Sequence, residues 1–96
     1  MLYRVPREFD WNLEKDRRNR HKHGFSLAAG KFVFEDPNRL SEYDDRAYDE
    51  ERWVAIGQLG PVIAYVVYTD RGNVRWLISV RKATADEQAR YFARWP

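Results

Sequence analysis

The sequence predicts a small α+β domain in which helices pack on one face of an antiparallel sheet. Two observations predict it. Helix-capping signals occur near both ends of the chain, and strand-like apolar segments separated by turn residues fill the second half. The 96 residues contain no repeat, low-complexity tract or linker rich in Pro, Gly and Ser. A chain of this length supports one hydrophobic core, so residues 1–96 are expected to form a single domain.

The first helix is predicted to follow an extended lead-in over residues 1–8. Asp10 or Asn12 can cap its start, and Gly24 supplies a left-handed stop after His23. The segment has almost no apolar stripe, so the helix would be marginal in isolation. Its charges suit a solvated face with i,i+4 ion pairs, namely Glu14 with Arg18 and Asp16 with Arg20.

A second, shorter helix is predicted from a cap at Ser26 through Phe34, ending before the turn at Asp36-Pro37. The acidic stretch 38–50 that follows has no apolar period. It is therefore expected to be a loop with at most a short edge strand. Most of its carboxylates are expected to be solvated.

Three strand candidates then form an antiparallel meander, which the acidic stretch could extend from three strands to four. Gly60-Pro61 separates the first two candidates, and turn residues at 70–73 separate the second from the third. The three segments cover residues 52–58, 62–69 and 74–82.

The last element is predicted to be a helix that packs on one face of this sheet. Thr84 and Glu87 have the spacing of a capping box at its start, and it is expected to run to about Trp95. An apolar stripe marks the side that faces the sheet, formed by Ala85, Ala89 and Phe92.

Composition excludes several classes of protein. The absence of cysteine excludes a disulfide scaffold and a thiolate zinc site, so an intracellular protein is the default. The longest apolar run, Val62 to Tyr68, is far shorter than the ~20 residues of a membrane span, and no secretory leader is visible. The chain also shows no phosphate-binding glycine loop, nucleophile elbow or Ser-His-Asp grouping.

The net charge of +2 conceals a basic–acidic–basic pattern. Residues 1–34 carry a net +4, residues 35–51 a net −6, and residues 52–96 a net +4. Thirteen of the seventeen basic residues are arginine, whose planar guanidinium suits phosphate and carboxylate. The basic blocks are either solvated surface or the recognition surface for an anionic ligand.

Alternation along the last strand predicts a cluster of arginines on its polar face. A turn over residues 70–73 would place Tyr68 opposite Arg75, and a three-residue turn before it would place Arg52 opposite Tyr68. Arg81 would lie about 20 Å further along the same face. Such arginines are either ordinary solvent-side residues or a site for an anion, and a one-residue slip in register would reverse the faces.

The end of the first helix and the start of the first strand offer further candidates. Lys22 and His23 lie at a helix C-terminus, where cations act as caps, so they are either caps or site residues. Asn19 can satisfy nearby backbone. His21 and His23 point away from each other on a helix, which argues against a metal site. Glu51 is a candidate base or arginine partner.

Taken together, these segments resemble the BrnT toxins of bacterial type II toxin–antitoxin systems. The resemblance covers roughly residues 9 to 91, and the Lys-His-Gly and Ile-Ser-x-Arg-Lys-Ala segments are its most specific parts. Val80 departs from the alanine usual in that family, and it is expected to face the core. The matching residues are Trp11-Asn12, Lys15, Asn19, Lys22-His23-Gly24, Phe34, Asp36, Glu51-Arg52, Gly57, Tyr68-Thr69, Arg71, Arg75 through Ala83, Glu87 and Tyr91.

The resemblance implies a RelE-like fold and an RNA-cleaving activity that halts translation in the bacterial cytoplasm. It implies neutralisation by a BrnA-type antitoxin, with the toxin as a dimer in the complex. The antitoxin carries the operator-binding part, so contact with DNA is indirect. No cofactor, metal or membrane is expected.

RNA cleavage without a metal needs cationic donors for the phosphate and a group that moves the proton of the ribose 2′-OH. We expect Arg52, Arg75 and Arg81 to bind the phosphate, and Glu51 or His23 to move the proton. RNA contacts are expected from Lys22, Tyr68, Arg71, Lys82 and Tyr91. The alternative is a non-catalytic module whose basic face docks nucleic acid or an acidic protein.

Overall fold

A computed structural model describes residues 8–46 and 49–94. These residues form an α+β fold built on one five-stranded sheet with strand order β1-β5-β4-β3-β2. The elements in chain order are β1 (Glu8–Asp10), α1 (Leu13–His23), a 3-10 helix (Leu27–Glu35), β2 (Leu40–Asp44), β3 (Arg52–Leu59), β4 (Val62–Arg71), β5 (Val74–Lys82) and α2 (Ala85–Phe92).

The sheet is mixed, and it is larger than the predicted meander of three to four strands. Strands β2 to β5 pair antiparallel with their neighbours in sequence, but β1 adds a fifth strand, parallel to β5. Phe9 of β1 lies opposite Arg75. A strand of three residues is too short to show an alternating pattern, so the prediction placed only Glu8 of this strand in an extended lead-in and took Asp10 as a possible helix cap. Residues 1–7 lie outside the described part.

Helices cover both faces of the sheet, contrary to the expectation that they share one face. The α1 face is the side where the 3-10 helix packs, and its core includes Leu27, Val66 and Leu77. The α2 face is the opposite side, where Tyr91 of α2 packs with Val54. Central strands covered on both sides become continuously apolar, which explains the unbroken apolar runs in β3 and β4.

Helix α1 begins and ends where the sequence predicts. The Asn12 side chain accepts hydrogen bonds from the N–H groups of Glu14 and Lys15, and Gly24 adopts a left-handed φ of 80°. Asp16 forms the expected ion pair with Arg20, but it is buried and also accepts the N–H of Leu27 at 2.7 Å. Asp16 therefore ties α1 to the next helix instead of joining a solvated face.

The carboxamide of Asn19 fixes α1 against the edge of β5 beyond β1. It donates to the carbonyl of Val80 at 2.9 Å and accepts from the N–H of the same residue at 3.1 Å. Both partners are buried. The side chain thereby replaces a neighbouring strand at this position, as the prediction that Asn19 satisfies backbone anticipates.

The segment after α1 is helical, as predicted, but of the 3-10 type. Ser26 caps it by accepting the N–H of Ala29. Its close approach to the sheet depends on Gly30, since a Cβ there would lie 2.9 Å from a methyl group of Val80. Val80 is fully buried, which confirms its predicted place in the core.

Helix α2 begins with the predicted capping box between Thr84 and Glu87. It ends at Phe92, and the predicted end at Trp95 lies outside the described residues. The hydroxyl of Tyr91 donates to Asp36 at 2.6 Å and joins the helix to the loop before β2.

The acidic stretch is folded into the structure to a greater extent than predicted. It forms the edge strand β2, and three of its carboxylates are held in ion pairs. The pairs are Glu42 with Arg90, Asp44 with Arg46, and Glu50 with Arg71. Much of the negative block therefore neutralises arginines within the domain. No helix in the described ranges is long and apolar enough to cross a membrane.

Candidate active site

A cleft of about 480 Å³ opens on the α2 face, between the end of α1 and the start of β3. Cationic side chains dominate its wall, and two carboxylates complete it on one side. The lining residues are Lys22, His23, Asp44, Asp45, Arg46, Arg52, Tyr65, Val67, Ile78, Ser79 and Arg81. The cleft therefore brings together four of the predicted site residues, from both basic blocks of the sequence.

A bulge in β5 places Arg81 in this cleft. Val67 pairs with Ser79 while the next residue, Tyr68, pairs with Leu77, so Ile78 has no direct partner in β4. The extra residue shifts the alternation, and Ile78 and Ser79 both line the cleft. Arg81 then lies opposite Tyr65 on the α2 face.

The guanidinium of Arg81 is held on two sides. Its Cζ lies 3.9 Å from the centre of the Tyr65 ring, and its two terminal nitrogens donate to the Glu87 carboxylate at 2.8 and 2.9 Å. The Arg81 hydrogen bonds hold the pKa of Glu87 below its ordinary value. Glu87 thus joins the cap of α2 to an arginine in the cleft.

Lys22 and His23 enter the cleft from the last turn of α1. His23 is half-buried and Lys22 is exposed. Burial lowers the pKa of the His23 imidazole, and the positive charges of Lys22 and Arg81 lower it further. The imidazole is therefore neutral at pH 7 and able to accept a proton.

Arg52 comes from the first residue of β3, where it lies opposite Asp44 of β2. Asp44 is buried and makes a two-pronged ion pair with Arg46, with distances of 3.0 and 2.9 Å. The ion pair with Arg46 thereby neutralises the charge of Asp44 on the acidic side of the cleft. The opposite side, at Lys22 and Arg81, carries an excess of positive charge.

Arg75 does not belong to this site, which corrects the predicted row Arg52–Tyr68–Arg75. It is buried on the α1 face, with its guanidinium 4.6 Å from the ring centres of both Phe34 and Tyr68. It also donates twice to Asp70, at 2.8 and 3.0 Å.

The error in that row lies in the lengths of two turns. Strands β4 and β5 stay paired up to Arg71 and Val74, so the second turn contains only two residues. Arg75 therefore lies opposite Asp70. The first turn is likewise two residues long, and Trp53 instead of Arg52 lies opposite Tyr68. The one-residue change at the first turn moves Arg52 to the other face.

The two tyrosines predicted to stack on RNA are core residues. Tyr68 is 6% exposed and packs edge-on against Phe34, and Tyr91 is 2% exposed. Burial and the hydrogen bond to Asp36 raise the pKa of Tyr91 to about 12. Neither ring can accept a base in this structure.

The remaining predicted residues lie outside the cleft. Glu51 is exposed, and its main-chain carbonyl accepts the hydroxyl of Thr69 at 2.7 Å. Lys82 is exposed and lines a separate depression. Arg71 is paired with Glu50 at the far end of β4. Within residues 8–46 and 49–94, no group of three His, Cys, Asp or Glu side chains could hold a metal ion.

Tyr65 is one of the polar cleft residues that the sequence reasoning missed, as are Asp44, Asp45, Arg46 and Ser79. It alternates with Ile63 and Val67 in β4, and this pattern places the three side chains on one face. What the pattern could not show is that this part of the face is left open, because no α2 residue lines the cleft and the packing of α2 depends on contacts distant in sequence.

The fold and the cleft define a small α+β domain with a cationic site suited to a phosphate-bearing ligand. The chain belongs to the BrnT family, described as the ribonuclease toxin of type II toxin–antitoxin systems, whose family model matches residues 11–87. This match confirms the resemblance seen in the sequence. A comparison with curated proteins found no match.

Proposed function

We propose that the cleft is the active site of a metal-independent endoribonuclease, an mRNA interferase of the RelE-like kind that inhibits translation. The observation that carries this proposal is the convergence of His23, Lys22, Arg52 and Arg81 on one open cleft. Family membership supplies the class of activity. The cleft supplies the groups that such a reaction needs.

The proposed reaction is attack of a ribose 2′ oxygen on the adjacent phosphorus. The bond from phosphorus to the 5′ oxygen breaks, leaving a 2′,3′-cyclic phosphate on one product and a 5′ hydroxyl on the other. The proton of the 2′ hydroxyl passes to a base, and water in the open cleft protonates the departing 5′ oxygen.

We assign the base to His23, because its lowered pKa keeps the imidazole neutral at pH 7 and it faces the cleft. Glu51, the other candidate base, is exposed and outside the cleft. Arg52 and Arg81 stabilise the charge that develops on the phosphoryl oxygens, and Lys22 adds affinity. Arg75 has no part in this assignment.

The partner is proposed to be a protein antitoxin of the BrnA type, in a complex that contains a toxin dimer. Family membership implies an antitoxin and an RNA substrate. DNA is then reached only through the antitoxin, and the site of action is the bacterial cytoplasm.

The test is RNA cleavage by the purified protein in EDTA, with Arg52→Ala and Arg81→Ala variants. Arg90→Ala is the matched control, because Arg90 is an exposed, ion-paired arginine that does not line the cleft. We expect the two cleft variants to lose cleavage about hundredfold or more, and the control to retain it. An inactive wild-type protein that still binds RNA would favour the non-catalytic binding module.

A further inference from the structure

A second arginine–aromatic pair lies on the α2 face, at the opposite end of β4 and β5 from Arg81 and Tyr65. The guanidinium of Arg71 lies 4.9 Å from the centre of the Trp76 ring. Arg71 follows cleft-lining Val67 by four residues, and Trp76 lies opposite Thr69, which follows Val67 by two, so both project on this face. The pair is therefore continuous with the floor of the cleft.

The Arg71 guanidinium is fixed in orientation as well as in position. Its Nε donates to one oxygen of the Glu50 carboxylate at 3.1 Å, and a terminal nitrogen donates to the other oxygen at 2.8 Å. The two hydrogen bonds use the edge of the guanidinium, and its Cζ lies over the Trp76 ring. A planar cation held in this way offers a flat surface on the side away from the ring.

The side chain of Arg71 is 50% exposed, so that surface is accessible to solvent. Further positive charge lies near it. The pKa of the Glu50 carboxyl is lowered first by the Arg71 hydrogen bonds, and the charges of Arg52 and Lys15 act in the same direction. A polyanion that occupies the cleft would therefore meet favourable charge as it extends towards this pair.

We propose that Arg71 and Trp76 form a base-stacking subsite for single-stranded RNA, outside the cleft that holds the scissile phosphate. A base of the substrate stacks on the open face of the Arg71 guanidinium, with Trp76 beneath it and Glu50 holding its edge. Unpaired bases commonly stack on arginine planes and aromatic rings in this manner. The subsite deepens the proposed ribonuclease function and rests on it for the identity of the ligand.

The distance between the cleft and the Arg71–Trp76 subsite determines which substrates can occupy both. Six residues of β4 separate Arg71 from Tyr65, the residue opposite Arg81, which corresponds to about 20 Å along the strand. A dinucleotide that places its scissile phosphate beside Arg81 and His23 does not extend to Trp76, whereas a longer strand does. The subsite should therefore act on substrates longer than a dinucleotide and leave the chemical step unchanged.

The experiment compares cleavage of a single-stranded oligoribonucleotide with cleavage of a dinucleotide. For the oligonucleotide, we expect Arg71→Ala and Trp76→Leu to raise KM by about five- to hundredfold with kcat retained. For the dinucleotide, both kinetic constants should match the wild type. Arg71→Lys keeps the charge but loses the plane, and it should behave as Arg71→Ala does.

Two controls separate stacking from charge and from folding. Arg90→Ala removes an arginine of similar exposure, 47%, that also pairs with a carboxylate, and it should leave KM unchanged. Trp76→Phe keeps an aromatic ring and should recover most of the affinity lost in Trp76→Leu. Wild-type affinity in Arg71→Lys, or an equal loss in Arg90→Ala, would overturn the subsite.

A binding measurement makes the subsite testable independently of catalysis. A 2′-O-methyl oligonucleotide of the same sequence cannot be cleaved by attack of the 2′ oxygen, and its fluorescence anisotropy reports affinity alone. If the wild-type protein binds it but cleaves no RNA, the proposed function fails while the variants still test the subsite. If all folded variants bind it as the wild type does, the subsite is wrong whatever the cleavage assay shows.

Discussion

Asn19 forms two hydrogen bonds with the backbone of a single residue, Val80, and so completes the part of the β5 edge that β1 does not pair with. The pairing anchors α1 beside the strand that carries Arg81. Lys22 and His23 follow Asn19 by three and four residues, one helical turn later, and they reach the cleft from this anchor. One carboxamide thus sets the distance between the two groups of cationic residues in the site.

Replacement of Asn19 by alanine should destabilise the protein by about 2–4 kcal/mol, because two buried backbone groups of Val80 would lose their partners. Urea denaturation followed by circular dichroism measures the loss. Asn38→Ala is the control, since Asn38 is exposed, and its effect should remain within about 0.5 kcal/mol. Equal stabilities for the two variants would contradict the anchoring role.

The pH dependence of cleavage should report the ionisation of His23. A base acts in its neutral form, so kcat/KM should rise with pH through a pKa below 6.5 and reach a plateau by neutral pH. Arg81→Gln removes one of the charges that depress this pKa, so the midpoint of the His23 titration measured by NMR should move upward. His21→Gln, on the exposed side of α1, should leave the rate profile unchanged. A wild-type midpoint above 6.5 would exclude the assignment.

Arg75 and Arg81 should differ in what their loss affects. Arg75→Gln removes the pair with Asp70 and the contacts with Phe34 and Tyr68, so we expect a loss of about 1–3 kcal/mol of stability with cleavage retained by the folded protein. Arg81→Gln should lower kcat about hundredfold. Thermal unfolding measures the stability, and single-turnover cleavage measures the rate. A loss of cleavage rate in an Arg75→Gln protein that is fully folded would place Arg75 in the site.

Tyr91→Phe should cost about 1.5–3 kcal/mol, because the hydroxyl hydrogen-bonds to a charged carboxylate. Burial alone would raise the pKa of Asp36, but the hydrogen bonds from Tyr91, Gln58 and Asn38 outweigh it and lower that pKa. In the variant, the pKa of Asp36 should therefore rise.

The same pair predicts how stability changes at alkaline pH. The pKa of Tyr91 is raised to about 12 in the folded protein, above the ~10 of an unfolded tyrosine. Its stabilising effect is complete below pH ~10 and is lost as the pH rises through the folded pKa. The difference in stability between the wild type and Tyr91→Phe should shrink over this interval. A difference that stays constant there would exclude the linkage.

Local signals in the sequence predicted the helices well. Asn12, Ser26 and Thr84 each cap the element that follows them, because a cap depends on hydrogen bonds to residues two or three positions away. The strands β3, β4 and β5 were also placed correctly, since turn residues separate them. Whether α2 shares a face of the sheet with the earlier helices depends on contacts distant in sequence, and the prediction that all helices lie on one face was wrong.

The candidate site was predicted only in part, for the same reason. Arg52, Arg81, Lys22 and His23 were all named from the sequence, and the structure brings them to one cleft. Their grouping with Arg75 and Tyr68 failed, because strand register depends on turn lengths that the turn residues alone did not define. Tyr68 and Tyr91 were read as exposed because tyrosine occurs both in cores and on recognition surfaces.

The bulge at Ile78 makes the cleft sensitive to changes in the path of β5 during evolution. Arg75 and Arg81 are an even number of residues apart, so a regular strand would project both on the α1 face. The supernumerary residue sends them to opposite faces. The cleft therefore depends on a count of residues as well as on their identity. Straightening this part of β5 at its present length would move Arg81 to the α1 face with every functional side chain still present in the chain. Deleting the extra residue would instead leave Arg75 and Arg81 an odd number of residues apart, so a regular strand would keep Arg81 opposite Tyr65.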